Sequence, residues 1–212
     1  MSDTSLICFD LDDTLIREIH SVMYLSVLNN KLEELLEVEK REAKGAFTWI
    51  EANYHKVKCA QGLNVEKIAT ELNRVLRPIR HVAHVIAALH KHGFKCLLIT
   101  AGPKQVAKVA SELWGFDGYY GSDYEVVDGK FTGEIINHTG DKGKIICLQA
   151  YCNQTKIDPD YCFAVGDGAS DIPLFEVCGG SIAINYSEAT IGKASYYLKT
   201  DDLSDILDLI IS

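Results

Sequence analysis

Asp10, Asp12 and Asp13 crowd into Phe-Asp-Leu-Asp-Asp-Thr-Leu, and Asp167 and Asp171 into Val-Gly-Asp-Gly-Ala-Ser-Asp. Carboxylates this close repel one another unless a cation or a shared proton holds them, so each group calls for a metal. Aspartate also favours turns and helix caps, which weakens either group taken alone. Both groups, however, directly follow short apolar runs, and that coincidence points to one site assembled at the ends of neighbouring strands.

Four such runs occur: residues 5–9, 94–100, 161–165 and 181–184. Short continuous apolar runs predict strands buried on both faces, hence a parallel sheet covered by helices. In such sheets the ligand crevice lies outside the carboxyl ends of the strands, where the polar residues after these runs converge. Val106, Val109, Ala110 and Leu113 keep helical spacing between Pro103 and Gly115; Ile145, Leu148, Gln149 and Cys152 mark a second helix, and Ile172-Pro173 opens a third that closes at Gly179-Gly180. Asp128-Gly129 between 124–127 and 130–136 predicts a tight β-hairpin. The fold class is therefore α/β, with a doubly wound parallel sheet.

More than one crossover helix lies between the first two strands. Val22, Leu25, Leu28, Leu32, Leu35 and Leu36 predict one long amphipathic helix, and residues 47–57 and 65–75 two more; residues 79–92 lead back to the sheet, with Gly93 as C-cap. The expected division is a core of residues 1–15 and 79–212 and a helical insertion of residues 16–78 standing over the crevice as a lid.

With 30 acidic against 21 basic residues, a net charge of −9 and no basic block, the chain lacks what non-specific nucleic-acid binding requires. Uncharged windows such as 177–187 fall short of the roughly 18 apolar residues of a membrane span. No Lys or Arg precedes Arg17, which argues against a secretory signal and for the cytoplasm. The seven cysteines form no CxxC pair, and several sit in apolar runs, which predicts buried reduced thiols. His81, His84, His90 and His92 lack the further ligands a zinc site needs.

The motifs together resemble the haloacid dehalogenase-like superfamily of phosphoryl-transfer enzymes, in its phosphoserine-phosphatase-like branch. The resemblance covers nearly the whole chain: Asp10-Leu11-Asp12-Asp13-Thr14, then Thr100 after a strand, then Lys142, then Gly166-Asp167-Gly168-Ala169-Ser170-Asp171. It implies a Rossmann-like core with a helical cap inserted between the first and second motifs. It also implies a Mg²⁺-dependent phosphomonoester hydrolase acting on a small phosphorylated metabolite. Asp10 would be the nucleophile that becomes an aspartyl-phosphate, and Asp12 the acid and then the base. Asp10, the backbone carbonyl of Asp12 and Asp167 would hold the metal, with Asp171 outside them or bound through water. Thr100 and the amide of Ala101 would receive the phosphoryl oxygens. Lys142 would balance the remaining charge; Lys144 competes for that role, and Lys-Gly before an apolar helix favours Lys142. Asp13 would support the loop.

The chain departs from phosphoserine phosphatases where those enzymes hold the amino-acid end of the substrate. Their glutamate, about nine residues after the nucleophile, is replaced by Ile19 between Glu18 and His20, and 47–58 contains no arginine, only Lys56 and Lys58. Thr100-Ala101-Gly102-Pro103 stands where Ser-Gly-Gly-Phe is usual. A different phosphomonoester is therefore expected, with Glu18 and His20 among the residues that choose it. Helical spacing favours packing over substrate contact for Phe47, Trp49 and Tyr54. The alternatives are phosphoserine phosphatase with rearranged recognition, or a protein that binds phosphate without hydrolysis. The sequence does not indicate an oligomeric state.

Overall fold

The structure, a computed structural model, describes residues 5–140 and 142–211. Among these, seven strands form one sheet: β1 (Leu6–Phe9), β4 (Lys95–Pro103), β5 (Gly118–Val127), β6 (Lys130–Asn137), β7 (Cys162–Gly166), β8 (Gly180–Ile184) and β9 (Tyr196–Leu198). Their order is β6-β5-β4-β1-β7-β8-β9, every neighbouring pair parallel except β5 with β6. The chain moves from β1 outward to β4 on one side and later to β7 on the other. The crevice where the winding reverses therefore opens at the carboxyl end of β1.

Alternation along the central strands sends side chains to both faces. Ile7 and Phe9 face a core completed by α5 (Val82–Lys91) and α6 (Lys104–Trp114) through Val85, Leu89, Val106 and Ala110. Leu6 and Cys8 face a second core with α7 (Gly143–Thr155) and α8 (Ile172–Val177) through Leu148, Cys152, Leu174 and Phe175. α9 (Leu207–Ile211) ends the described chain. The hairpin turn is as expected, Asp128 and Gly129 both having positive φ. β9 and the first half of β5, which pairs parallel with β4, carry no distinct apolar run.

Residues 16–78 leave and return through a short antiparallel ribbon, β2 (Ile16–Arg17) with β3 (Arg77–Pro78). Between them lie α1 (Ser21–Leu28), α2 (Leu32–Ala43), α3 (Trp49–Lys56), a 3₁₀ turn at Val57–Ala60 and α4 (Glu66–Val75). The single long helix expected over 22–36 is instead two. Asn30 adopts φ +57°, and the Asn29 amide nitrogen donates to the carbonyls of Cys59 and Gln61, which ends α1 and ties it to the 3₁₀ turn. Asparagine tolerates the left-handed conformation that breaks a helix, and apolar spacing alone does not reveal the break. The segment also docks on the β5–β6 hairpin by main-chain bonds: Gly62 N–H to Phe131 O, Phe131 N–H to Leu63 O, and Val65 N–H to Gly129 O. Among the described residues, no helix is long and apolar enough to cross a membrane.

Candidate active site

Asp10 directly follows β1, Thr100 lies within β4, and Asp167 directly follows β7, so the three meet at the carboxyl end of the sheet centre. The Asp10 N–H donates to Val165 O at 2.9 Å, fixing the first loop to the neighbouring strand. A cavity of about 570 Å³ opens here, lined from the sheet side by Asp10, Asp12, Asp13, Thr100, Ala101, Lys144 and Asp167.

Carboxylate oxygens of Asp10, Asp167 and Asp171 lie within 4.8 Å of one another. Lys144 Nζ sits between two of them, 2.7 Å from Asp10 Oδ1 and 2.6 Å from Asp171 Oδ1. Burial works against its ammonium, but the flanking carboxylates hold its pKa above the ordinary lysine value. Burial pushes Asp10 well upward, Lys144 opposing and the Asp171 and Asp167 charges adding to the rise. Asp167 is pushed up to about 7, by burial first and then by Asp171 and Asp13. One ammonium among three carboxylates leaves surplus negative charge, and the free donors are all oxygen. That set fits a hard divalent cation such as Mg²⁺. Asp171 Oδ2 also accepts the N–H groups of Asp167 and Gly168, so both its oxygens are engaged within the protein.

Asp12 is gripped by the first residue of α1. Ser21 donates its N–H to Asp12 Oδ1 and its hydroxyl to Oδ2, the latter at 2.6 Å. A Cβ on Gly102 would lie 2.2 Å from Ser21 Oγ and 2.8 Å from Asp12 Oδ2, so only glycine leaves space for this pair. Gly102 N–H donates to Thr100 Oγ1 at 2.9 Å, leaving the buried threonine hydroxyl proton for a ligand. Ser122 Oγ donates to Ala101 O at 2.7 Å and accepts Thr139 N–H at 2.9 Å. The loop at Thr100 is thereby joined to the one that leads into α7 and Lys144.

The opposite wall comes from α1 and α3: His20, Val22, Trp49, Ile50, Asn53 and Lys56. His20 caps α1, its Nδ1 accepting Met23 N–H, so Nε2 carries the hydrogen that meets Glu39 at 2.9 Å. Burial opposes charging of this ring, but the Glu39 bond and the Asp12 charge outweigh it and its pKa rises. Lys56 is buried, 2.7 Å from Glu42 and 3.9 Å from Glu39.

Asp10, Asp12, Thr100, Ala101, Asp167 and His20 thus line one cavity, with Asp171 buried beside it. Three expectations need correcting. Lys142 is exposed at the N-cap of α7, and Lys144 is the lysine against Asp10. The helical phase carried that signal: Lys144, Leu148, Tyr151 and Cys152 are the buried face of α7, whereas Gln149 is exposed. Glu18 sits at positive φ in the turn after β2, exposed and outside the cavity lining. Trp49 and Tyr54 are not core residues: they are 42% and 43% exposed, and Trp49 lines the cavity. The spacing that suggested packing was that of a helix with an open face. Ser21 carried no signal, since its importance depends on where α1 begins.

The profile of the haloacid dehalogenase-like hydrolases matches residues 7–176. A phosphoserine phosphatase of Idiomarina loihiensis is 28% identical over 208 residues, covering 96% of this chain and 92% of that protein. One of Methanocaldococcus jannaschii is 26% identical over 208 residues, covering 97% of each. A solved phospho-aspartyl intermediate analogue of phosphoserine phosphatase superposes with a TM-score of 0.80 at 26% identity, covering 98% of this chain and 99% of that one. By this match and its α/β sheet, the chain belongs to the haloacid dehalogenase-like hydrolases, on their phosphoserine-phosphatase-like branch.

Proposed function

We propose that this phosphatase hydrolyses a small phosphomonoester through an aspartyl-phosphate on Asp10, with Mg²⁺ as its cofactor. The observation that carries the reading is the convergence of Asp10, Asp12, Thr100, Lys144 and Asp167 on one cavity at the end of β1. The free carboxylate oxygen of Asp10 attacks phosphorus as the ester P–O bond breaks, and Asp12 gives its proton to the departing alkoxide. Water then attacks the phosphoryl group, its proton passing to Asp12, and the Asp10–phosphorus bond breaks to free inorganic phosphate. Thr100 Oγ and the Ala101 amide donate to the phosphoryl oxygens, and Lys144 holds Asp10 oriented through its other oxygen. Asp10, the Asp12 carbonyl and Asp167 would hold Mg²⁺, which supplies charge neutralisation between two approaching anions. Asp171, with both oxygens engaged, acts outside that set, orienting Lys144 and the Asp167 loop.

Residues 16–78 act as a cap domain on a core of residues 1–15 and 79–212, a reading supported by the β2–β3 neck and by the cavity wall that α1 and α3 supply. Five buried free thiols suit a reducing compartment, which we take to be the cytoplasm. A second reading, hydrolysis of L-phosphoserine with rearranged recognition, is favoured by the names of the relatives above. Phosphate release from a panel of phosphorylated metabolites, with Mg²⁺ and with chelator, tests both: Mg²⁺-dependent turnover is expected, and a panel wholly inert with Mg²⁺ would sink the hydrolase in favour of simple phosphate binding. Stereoselective, saturable turnover of L-phosphoserine above all other esters would establish the second reading.

Ser21 is a positioning residue for Asp12. Ser21→Ala removes one of two donors to the carboxylate, and a hydrogen bond to a charged group is worth about 1.5–3 kcal/mol. We expect kcat to fall at least about tenfold with KM changed less than about twofold. A parallel rise in KM would mean that the loss lies in binding.

A further inference from the structure

The cavity extends well beyond what a phosphoryl group and a three-carbon ester fill. At about 570 Å³ it falls among sites that enclose molecules of drug size, roughly 300–1,000 Å³. On its far wall Trp49 and Ile50, exposed by 42% and 37%, form an aromatic and aliphatic patch beside the buried polar side chains of Asn53 and Lys56. The indole is fixed from behind. It meets the His138 ring edge-to-face at 5.5 Å, and a Cβ on Gly140 would lie 2.5 Å from Trp49 Cζ3. A rigid indole with exposed area on a cavity wall is suited to a planar partner.

Every basic side chain lining this cavity, among the described residues, is already engaged. Lys144 lies between Asp10 and Asp171, Lys56 meets Glu42 and Glu39, and His20 meets Glu39. A carboxylate arriving at the far wall would find no free cation among the described lining residues and would face Glu39 and Glu42 behind it. Removing it from water there is unfavourable. The Asn53 amide nitrogen donates to Trp49 O at 3.0 Å, so its oxygen remains as an acceptor for an N–H or O–H on the ligand.

We propose that the substrate is a phosphate ester of an alcohol bearing an aryl or heteroaryl ring and no carboxylate, with the ring lying on Trp49. This rests on the hydrolase reading above and names the substrate class of the same site. Benzyl phosphate, propyl phosphate and L-phosphoserine have primary alkoxide leaving groups and differ chiefly in what the far wall would touch. With Mg²⁺, kcat/KM is expected to be at least about tenfold higher for benzyl than for propyl phosphate, as burial of about two to three methylene equivalents gives, and lowest for L-phosphoserine. Trp49→Ala should reduce the benzyl-to-propyl ratio towards one. Binding is read without turnover from tryptophan fluorescence, since Trp114 is buried elsewhere in the core. Benzylphosphonate should change the emission of wild type, and Trp49→Ala should remove that change. Propyl phosphate or L-phosphoserine turned over as well as benzyl phosphate, or benzylphosphonate leaving the emission unaltered, overturns the proposal while the hydrolase stands. If none of the esters is hydrolysed but the Trp49-dependent change is present, the aromatic site stands and the hydrolase reading fails.

Discussion

Asp10→Asn should be folded and without measurable phosphate release, a loss of at least about four orders of magnitude in kcat, on the scale that removal of a covalent nucleophile produces elsewhere. The amide keeps the shape of the carboxylate and an oxygen towards Lys144, but it is a poor nucleophile and carries no charge. The same change should not weaken the fold. Burial, with the Asp171 and Asp167 charges adding to it and Lys144 opposing, pushes the Asp10 carboxyl well above the ordinary carboxylate range, so ionising it costs more in the folded protein than in the unfolded chain. The sign follows: a carboxyl whose pKa is raised on folding opposes folding as pH rises above its unfolded value. In metal-free buffer at pH 7 the variant should therefore melt no lower than wild type, with the difference shrinking as pH falls towards 4. Retained turnover above about one per cent of wild type would remove Asp10 from the nucleophile's place. Lost activity with a collapsed melting temperature would show only that the residue is needed for folding. A folded but inactive protein separates the two.

The second large effect belongs to Lys144. Lys144→Met keeps the aliphatic stem and removes the ammonium held 2.7 Å from Asp10 and 2.6 Å from Asp171. Breaking a buried ion pair by removing one partner costs about 3–5 kcal/mol, because the other charges stay buried and uncompensated. Here two carboxylates are left, and Asp10 loses the contact that orients it. We expect both a lower denaturant midpoint and a kcat at least about a hundredfold lower, the stability loss being partly recovered at mildly acidic pH, where the carboxyls can protonate. Lys142→Met, two residues earlier on the exposed end of α7, is the internal control and should resemble wild type in both measurements. Equal losses in the two variants would mean that the ion pairs of Lys144 contribute nothing special to the site.

That pair of lysines also marks how far the sequence can be read. The first and fourth motifs were recognisable because strand ends convert short apolar runs into fixed positions: Asp10 and Asp167 must follow β1 and β7 wherever the sheet forms. The hairpin at Asp128-Gly129 was legible for a local reason, the positive φ that those residues tolerate. Choosing between Lys142 and Lys144, by contrast, required the rotational phase of α7 from its first turn, Gly143-Lys144-Ile145-Ile146, and a family-like Lys-Gly pair outweighed it. Asn29-Asn30 hid the break between α1 and α2 in the same way, because apolar spacing continues across it. Trp49 and Ser21 were beyond reach for a different reason. Their roles arise from contacts with Gly140 and Asp12, in separate parts of the chain, and no local pattern encodes such meetings.

The main-chain bonds from Gly62, Leu63 and Val65 to the β5–β6 hairpin fix which movements come easily to the helical segment. Together with the β2–β3 ribbon they tie the segment to the rest of the chain at two places, both through backbone bonds. Among the described residues α3 has no backbone bond to the sheet; it meets the core through side chains such as Trp49 against His138. Any opening of this segment would therefore be easiest at the α3 edge, with substrate entering and alcohol leaving past the indole and the grip of Ser21 on Asp12, on the first turn of α1, changing as it opened.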